Sequence, residues 1–274
     1  MILSLYRSIR AVYRKLVDYP LSTFFALRTL QRKGVIRSVR YGVDAVYFDY
    51  GSLRQLCARP FPHSDLEVLT QVMLKQEYGF AVQWIRNRKM QEDALRIIDA
   101  GANVGYTSLY FLSAFRRASL IAIEPDTANY KMLESNLRCC QSPSSVETLQ
   151  AALLSRPGIS VTIDRQGGDK KDWSFSVTPT LTSTGVSSIT VGELLVRSGW
   201  EQIDILKIDI EGSEADVFSE QADLSYLQRT RLVMVEIHDD KADRKLIHGL
   251  LSQHGFEIEE HSETTFAINK ALAP

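Results

Sequence analysis

The sequence feature that most constrains the fold is an apolar strand that ends in an acidic residue and breaks into a glycine-containing turn. It runs from Ile97 to Gly105, and a helical stretch follows it. About twenty residues later a second apolar strand, Leu120 to Ile123, ends at Glu124-Pro125. This order of strand, glycine turn, helix and glutamate-ended strand is typical of a nucleoside-binding crevice at the edge of a parallel sheet.

The residue types in this turn indicate a ligand with an anionic group. Gly101 and Gly105 remove side chains where backbone approaches a ligand, and a helix that starts near Val104 directs free N–H groups into the same space. Asn103 is predicted as the N-cap of that helix. Glu124 can accept hydrogen bonds from a ribose diol.

The turn differs from the dinucleotide-binding pattern G-x-G-x-x-G, because Asn103 stands in place of the central glycine. Close approach of a pyrophosphate is therefore not provided for. A smaller ligand that ends in a carboxylate fits better, and S-adenosylmethionine has that shape. The rival enzyme is a nicotinamide-dependent oxidoreductase, and the rival without a ligand is an ordinary strand–helix turn with structural glycines.

Length and composition restrict the class of protein. The 274 residues suffice for one sizeable domain, an appendage and a full core without disulfides. The three cysteines, Cys57, Cys139 and Cys140, show no metal-binding spacing, so we expect a reducing, cytoplasmic setting. No apolar run approaches the roughly 18 residues that span a bilayer, and no cleavable secretory signal is recognisable. We predict neither a transmembrane nor a secreted protein, and no nucleic-acid partner.

Charge is unevenly distributed along the chain. Residues 1–40 hold nine Lys or Arg and one acidic residue, a net charge of +8, whereas the remaining 234 residues carry −9. Apolar residues recur at helical spacing between the basic ones: Leu5, Ile9, Val12, Leu16 and Tyr19. This spacing predicts a basic amphipathic helix, which suits peripheral contact with an anionic membrane. The alternative is packing against the acidic body of the protein or, in a homo-oligomer, against a second subunit.

Three regions are predicted along the chain. Residues 1–40 form the basic helical extension, residues 41–94 form a lead-in of strand and helix that can cover a substrate, and residues 95–274 form the ligand-binding domain. Strands alternate with helices in the last region, which predicts an α/β fold with a doubly wound sheet. Seven strands are predicted there, at residues 95–99, 119–124, 147–150, 203–208, 231–237, 256–259 and 265–268. Helices are predicted at residues 104–116, 127–139, 190–198, 213–220 and 241–253.

The segments outside this alternation have other patterns. Ser38 to Tyr50 alternates like a strand, and Ser64 to Tyr78 has helical spacing. Residues 139–189 are dense in Ser, Thr, Gly and Pro, which predicts hairpins and loops at one end of the sheet. Tyr78 and the loops from 165 to 185 are predicted to close over the substrate.

A second group of ionisable residues follows two later strands. Asp209 and Glu211 come directly after one strand, and Glu236 and His238 end the next. In a doubly wound sheet these strand ends lie beside the first, so the four side chains should converge on the crevice. If both segments stay extended, each pair lies on one side of its strand. Four ionisable groups in one cleft are costly unless they are paired, protonated or bound to a metal.

These residues carry a resemblance to the FkbM family of S-adenosylmethionine-dependent methyltransferases. The matching segments are Asp99 to Gly105, Glu124-Pro125, Asn136, Lys207 to Gly212 with Glu214, Glu236 to His238, and upstream Arg59-Pro60, Ser64-Asp65 and Gln76 to Tyr78. The glycine turn alone is shared by many methyltransferases, whereas its combination with the K-I-D-I-E-G run is specific. The resemblance covers roughly residues 59–268. One departure lies at the start of the helix before the fourth strand, where the family often has a Thr-Leu-Asp-like sequence and this chain has Thr190-Val191-Gly192.

The resemblance implies a Rossmann-like, class I methyltransferase fold with a helical N-terminal extension. It also implies methyl transfer to oxygen, typically a hydroxyl of a sugar, a glycan or a secondary metabolite. The predicted S-adenosylmethionine contacts are Tyr78, Asp99, Gly101, Ala102, Asn103, Gly105, Glu124, Pro125, Ala152 and Asp209.

Four side chains are predicted to be catalytic: His238, Asp209, Glu211 and Glu236. The sulfonium methyl group is already a strong electrophile, so the enzyme must align the attack and remove the hydroxyl proton. His238 is the first candidate base because its unperturbed pKa lies near neutrality, and Asp209 is the second. Two alternatives stay open: a divalent metal held by Asp209, Glu236 and His238, and a cofactor-bound but inactive scaffold module.

Overall fold

The computed structural model describes residues 20–90, 94–115, 117–138, 145–164, 176–179 and 185–273. The amphipathic helix predicted from Leu5 to Tyr19, and most of the loops predicted between 165 and 185, lie outside these ranges. Within them, no helix has both the length and the apolar character needed to cross a membrane.

The lead-in is a small antiparallel sheet with three helices. Its elements are, in chain order, α1 (Leu21–Arg32), β1 (Arg37–Tyr41), β2 (Val46–Tyr50), β3 (Leu53–Ala58), α2 (Asp65–Leu69), a π-helical segment (Thr70–Leu74) and α3 (Gly79–Asn87). The three strands pair in the order β1-β2-β3. The strand-like stretch of residues 38–50 is therefore a hairpin, and neither β3 nor α3 was predicted. The predicted boundary at residue 40 lies inside β1.

The rest of the chain alternates strands and helices. Its elements are β4 (Arg96–Ala100), α4 (Tyr106–Ala114), β5 (Ser119–Ile123), α5 (Thr127–Arg138), β6 (Val146–Leu149), β7 (Ala152–Leu153), β8 (Ser160–Asp164), β9 (Ser176–Pro179), β10 (Val186–Ile189), α6 (Val191–Ser198), β11 (Ile203–Ile208), α7 (Glu214–Val217), a 3-10 helix (Ser225–Arg229), β12 (Thr230–Glu236), α8 (Arg244–Gln253), β13 (Phe256–His261) and β14 (Thr264–Asn269). The segment predicted as hairpins and loops contains a separate four-stranded sheet, β7-β10-β8-β9.

Seven strands form the main sheet in the order β13-β14-β12-β11-β4-β5-β6. The predicted α/β, Rossmann-like seven-stranded fold is confirmed, and each predicted strand lies within two residues of its expected bounds. β14 runs antiparallel to β12 and β13, because the two-residue turn Ser262-Glu263 joins it to β13 as a hairpin. β4 and β11 are neighbours at the centre of the sheet, so the turns that follow them meet at one edge.

Asn136 of α5 connects the lead-in to the main sheet. Its side chain is fully buried, and Oδ1 accepts a hydrogen bond from the Cys57 backbone N–H at 2.7 Å. Its Nδ2 donates to the carbonyls of Cys57 at 3.1 Å and Val104 at 2.8 Å. One amide group therefore holds β3, the glycine turn and α5 in register with one another.

Candidate active site

The turn after β4 is wound through left-handed backbone conformations. Gly101, Asn103 and Gly105 have φ angles of 75°, 49° and 92°. Helix α4 begins only at Tyr106, and no side chain caps it, so the predicted N-cap role of Asn103 is wrong. Instead, Asn103 donates its backbone N–H to Glu124 Oε2 at 2.9 Å, in a conformation that asparagine tolerates better than most residues.

The two glycines of this turn are required for different reasons. A Cβ on Gly101 would overlap the backbone carbonyl of Asp209, because the ends of β4 and β11 meet there. A Cβ on Gly105 would lie 2.8 Å from Leu133 Cδ1 on α5. Gly105 therefore allows close packing of the turn against α5, and its predicted contact with a cofactor stays a prediction.

Two clefts open at the carboxyl edge of the sheet. The first cleft lies over the ends of β4, β5 and β6 and encloses about 500 Å³, its open mouth included. Six of the predicted cofactor contacts line it: Gly101, Asn103, Glu124, Pro125, Ala152 and Asp209. The apolar Ile123 and Leu153 are among the other residues of its walls, so the first cleft offers both apolar surface and polar groups.

Glu124 contributes the carboxylate of the first cleft, although its side chain is almost fully buried. Oε2 accepts the Asn103 N–H, and Oε1 accepts the Asp126 N–H at 2.9 Å. Burial raises the pKa of Glu124 to about 8, and these two backbone donors act in the opposite direction. In the carboxylate form, which the two backbone donors favour, each oxygen retains a lone pair and can still accept a hydrogen bond from a diol.

Three other predicted cofactor contacts lie elsewhere. Asp99 is fully buried beneath the glycine turn, and its Oδ2 accepts a hydrogen bond from the Ser108 hydroxyl at 2.6 Å. Ala102 and Tyr78 line the second cleft instead. Asp99 therefore lies below the turn, whereas Ala102 and Tyr78 belong to the wall of the neighbouring cleft.

The second cleft lies between the lead-in and the carboxyl ends of β11 and β12. Its volume is about 1070 Å³, again with the open mouth included. All four predicted catalytic side chains line it: Asp209, Glu211, Glu236 and His238. The lead-in contributes a further wall: Val68, Gln71, Val72, Glu77 and Tyr78. The first and second clefts share Gly101, Asn103, Asp209 and Glu211, so they adjoin.

The extended backbone on which the prediction for Asp209 and Glu211 depended is not present. β11 ends at Ile208, and Glu211 has a left-handed φ of 57°. The chain has already turned at Glu211, where Lys241 Nζ donates to its carbonyl at 2.9 Å. Side chains two residues apart lie on the same side only where the backbone is extended, and the extended backbone ends here with β11.

His238 lies between two carboxylates. Its Nδ1 is 3.1 Å from Glu214 Oε1, and its Nε2 is 3.3 Å from Glu211 Oε2. Burial by itself lowers the pKa of His238, but the hydrogen bonds and charges of Glu211 and Glu214 outweigh burial and raise that pKa to about 11. A pKa in this range favours the imidazolium at neutral pH, the form in which both ring nitrogens donate. This state does not suit the general base that an unperturbed histidine would be.

Glu236 has different surroundings. Within the described ranges, its carboxylate makes no hydrogen bond or ion pair, and it faces the second cleft. The negative charge of Asp209 and then burial raise the pKa of Glu236 to about 8. Burial and Asp209 also raise the pKa of Glu77, which lines the same cleft and was not predicted as a site residue.

Lys207 is the other site residue without a predicted role. Its side chain is buried, with Nζ 3.4 Å from Asp99 Oδ1 and 3.3 Å from Asp209 Oδ2. Nζ also donates to the carbonyl of Gly101 at 2.8 Å. Burial disfavours the ammonium, but the two carboxylates outweigh burial and hold the Lys207 pKa well above its ordinary value. The sequence could have indicated this site residue, because a lysine within an apolar, buried strand requires acidic or carbonyl partners.

We expect Lys207→Met to lower the free energy of unfolding by about 3–5 kcal/mol, because it leaves the buried Asp99 carboxylate without its cation. In an Asp99→Asn background the same substitution should cost less, with a coupling energy of about 1–3 kcal/mol. Urea denaturation of the four proteins in this cycle measures that coupling. The exposed Lys245 of α8 supplies the control, and Lys245→Met should stay within about 0.5 kcal/mol of the parent. Equal losses in both backgrounds would contradict the assigned interaction.

Comparison with known proteins identifies the family of the chain. The family model described as "Methyltransferase FkbM domain" matches residues 99–258. Methyltransferase sdnD of Sordaria araneosa is 28% identical, over 59% of this chain and 73% of that protein. Methyltransferase 1 of Beauveria bassiana is 25% identical, over 59% of this chain and 72% of that protein. Among solved structures, the N-terminal domain of human METTL16 has a TM-score of 0.45 at 12% identity, covering 88% of this chain and 77% of that one. The family match spans more than half of the sequence, and the chain belongs to the FkbM family of S-adenosylmethionine-dependent methyltransferases.

Proposed function

We propose that this protein transfers the methyl group of S-adenosylmethionine to a hydroxyl oxygen of a sugar, a glycan or a secondary metabolite. The observation that supports this function most directly is the contact between the two clefts. They share walls at Gly101, Asn103, Asp209 and Glu211. A methyl donor in the first cleft and a hydroxyl acceptor in the second would meet at this shared wall, as a direct transfer requires.

The side chains of the first cleft fit S-adenosylmethionine. Glu124 offers a carboxylate to the ribose hydroxyls, and Ala152 with Leu153 offers apolar surface to the adenine ring. Asp209 lies on the shared wall, with a quarter of its side chain exposed, and offers a carboxylate to the methionine amino group. The ribose, the adenine and the methionine amino group would thus each have a partner of complementary chemistry.

We assign the removal of the hydroxyl proton to Glu236. Its carboxylate faces the second cleft and is not engaged by another described side chain, whereas both ring nitrogens of His238 are engaged. A positioned base adds about 10²- to 10⁴-fold to the rate, and alignment of donor and acceptor supplies much of the remainder. In this assignment His238 is a fixed positive charge that orients Glu211, and Asp209 is the second candidate base.

The rival functions differ in what supports them. The nicotinamide-dependent alternative requires a pyrophosphate site, which Asn103 in the glycine turn disfavours, and the family match adds to that argument. The inactive scaffold is a rival of another class, because a scaffold would keep the first cleft without using the second. The following measurements separate these functions.

We expect S-adenosylmethionine, or its demethylated product, to stabilise the protein against thermal unfolding. A ligand at about 100 times its dissociation constant adds about 2.7 kcal/mol to the free energy of unfolding. NAD at the same concentration is the control and should produce no shift. If neither S-adenosylmethionine nor its demethylated product raised the melting temperature, the cofactor assignment would be overturned.

We expect Glu236→Gln to reduce methyl transfer by about 10²- to 10⁴-fold while the stabilisation by S-adenosylmethionine is retained. The assay follows a labelled methyl group from the cofactor into the small-molecule and glycan fractions of a source-cell extract. Glu257→Gln, an exposed change on β13, serves as the matched control and should leave transfer unchanged. Full transfer by Glu236→Gln would return the proton-acceptor role to Asp209, and no transfer by the unmodified protein would favour the scaffold.

A divalent cation is the alternative partner of His238. One ligand atom from each of Asp209, Glu211 and His238 lies within 4.8 Å of the others, so Glu211 takes the place that Glu236 held in the predicted metal trio. Oxygen and imidazole ligands suit Mg²⁺ and first-row transition metals. Glu214, on the other ring nitrogen, corresponds to the carboxylate that commonly orients a metal-bound histidine.

Addition of Mg²⁺ or Mn²⁺ to chelator-treated protein decides between a proton and a metal on His238. A bound cation should raise the melting temperature, because it binds the folded state, and Glu211→Gln should abolish that rise. Glu257→Gln again provides the control. An unchanged melting temperature, together with full turnover after chelation, would remove the metal from the mechanism.

A further inference from the structure

Helix α1 presents apolar and basic side chains together on one exposed surface, which we call the α1 face. It consists of Leu21, Phe24, Phe25, Arg28 and Arg32. The exposed fractions of its three apolar residues are 56% for Leu21, 39% for Phe24 and 63% for Phe25. Three of the seven large apolar residues exposed in the described part of the chain therefore lie in the first turns of this helix, rather than scattered singly over the surface.

The opposite side of α1 is anchored in the protein. Thr23, Leu27 and Leu30 are buried there, and the Thr23 hydroxyl accepts the backbone N–H of Phe61 at 2.9 Å. This anchoring fixes which side of the helix faces outward. Since the helix turns once in about 3.6 residues, Leu21, Phe25, Arg28 and Arg32 follow one another along the outer side, and Phe24 lies beside them.

The chain segment that contains the α1 face carries charged residues of a single sign. Residues 20–43 contain five basic residues and no acidic residue. All five are exposed: Arg28, Arg32, Lys33, Arg37 and Arg40. Within the described ranges, Arg28, Arg32 and Lys33 form no ion pair. Beyond residue 40 the chain carries a net charge of −9, so the basic surface is segregated from an acidic body.

We propose that the α1 face is a docking surface for an anionic membrane. Aromatic side chains are favoured at the boundary between headgroups and acyl chains, and neighbouring Arg and Lys residues are attracted by anionic headgroups. An anionic lipid surface therefore complements both the apolar and the basic side chains of the α1 face. A second copy of the chain that presented the same face would instead oppose basic residues to basic residues.

Sedimentation with lipid vesicles tests this proposal on the full chain. We expect binding to vesicles that contain about one third phosphatidylglycerol and little binding to pure phosphatidylcholine. The variants Phe24→Ser/Phe25→Ser and Arg28→Glu/Arg32→Glu should each reduce binding by about tenfold or more, and added salt should weaken the binding of the unmodified protein. All four side chains are exposed, so the melting temperatures of the variants should match the parent.

A matched control comes from α8, which carries the exposed Lys245 next to Leu246 with an exposed fraction of 46%. Lys245→Glu/Leu246→Ser changes one apolar and one basic residue outside the α1 face, and it should bind vesicles like the parent. Three results would overturn the proposal: no binding to anionic vesicles, equal binding by the α1 variants and the parent, or a vesicle-independent change of oligomeric state in the α1 variants. The last result would assign the face to a subunit contact. Vesicle binding is measured without methyl transfer, so it is independent of the proposed function.

Discussion

The arrangement of the candidate site depends on the buried ammonium of Lys207. This group lies between Asp99 at the end of β4 and Asp209 after β11, and it also bonds the carbonyls of Ala100 and Gly101. Without a cation, two carboxylates and two carbonyls would face one another, and the Asp99 carboxylate is fully buried. The ammonium therefore fixes the distance between the two central strand ends, and with it the place where the two clefts meet.

Positive charge in the second cleft is fully engaged by acidic side chains. Lys207 is surrounded by Asp99 and Asp209, and His238 by Glu211 and Glu214. The charge of Asp209 and then burial raise the pKa of Glu236, whereas His238 and Lys207 act in the opposite direction, and the result lies toward the range in which a base is effective near neutral pH. The paired groups of the second cleft thus also set the pKa of Glu236, the carboxyl group that faces this cleft.

The sequence predicts the main sheet well because long apolar strands alternate regularly with helices, and the spacing of such segments is a local property. It does not predict the turns, where the left-handed backbones of Asn103 and Glu211 depend on contacts with distant residues. The state of His238 is a similar case. Its unperturbed pKa favours a base, but Glu211 and Glu214 raise that pKa and so favour the cation, and only the fold brings these carboxylates to its ring. Lys207 could have been recognised as a site residue, since a buried lysine always requires partners.

The walls of the second cleft come from two different parts of the chain. Asp209, Glu211, Glu236 and His238 lie within the matched family segment, whereas Val68, Gln71 and Val72 belong to the lead-in and precede it. The lead-in wall is not shared with the first cleft. Substitutions at Val68, Gln71 or Val72 therefore change the shape of the second cleft and leave the lining of the first cleft intact. The two clefts can vary independently of each other, because the wall that the lead-in contributes belongs to the second cleft alone.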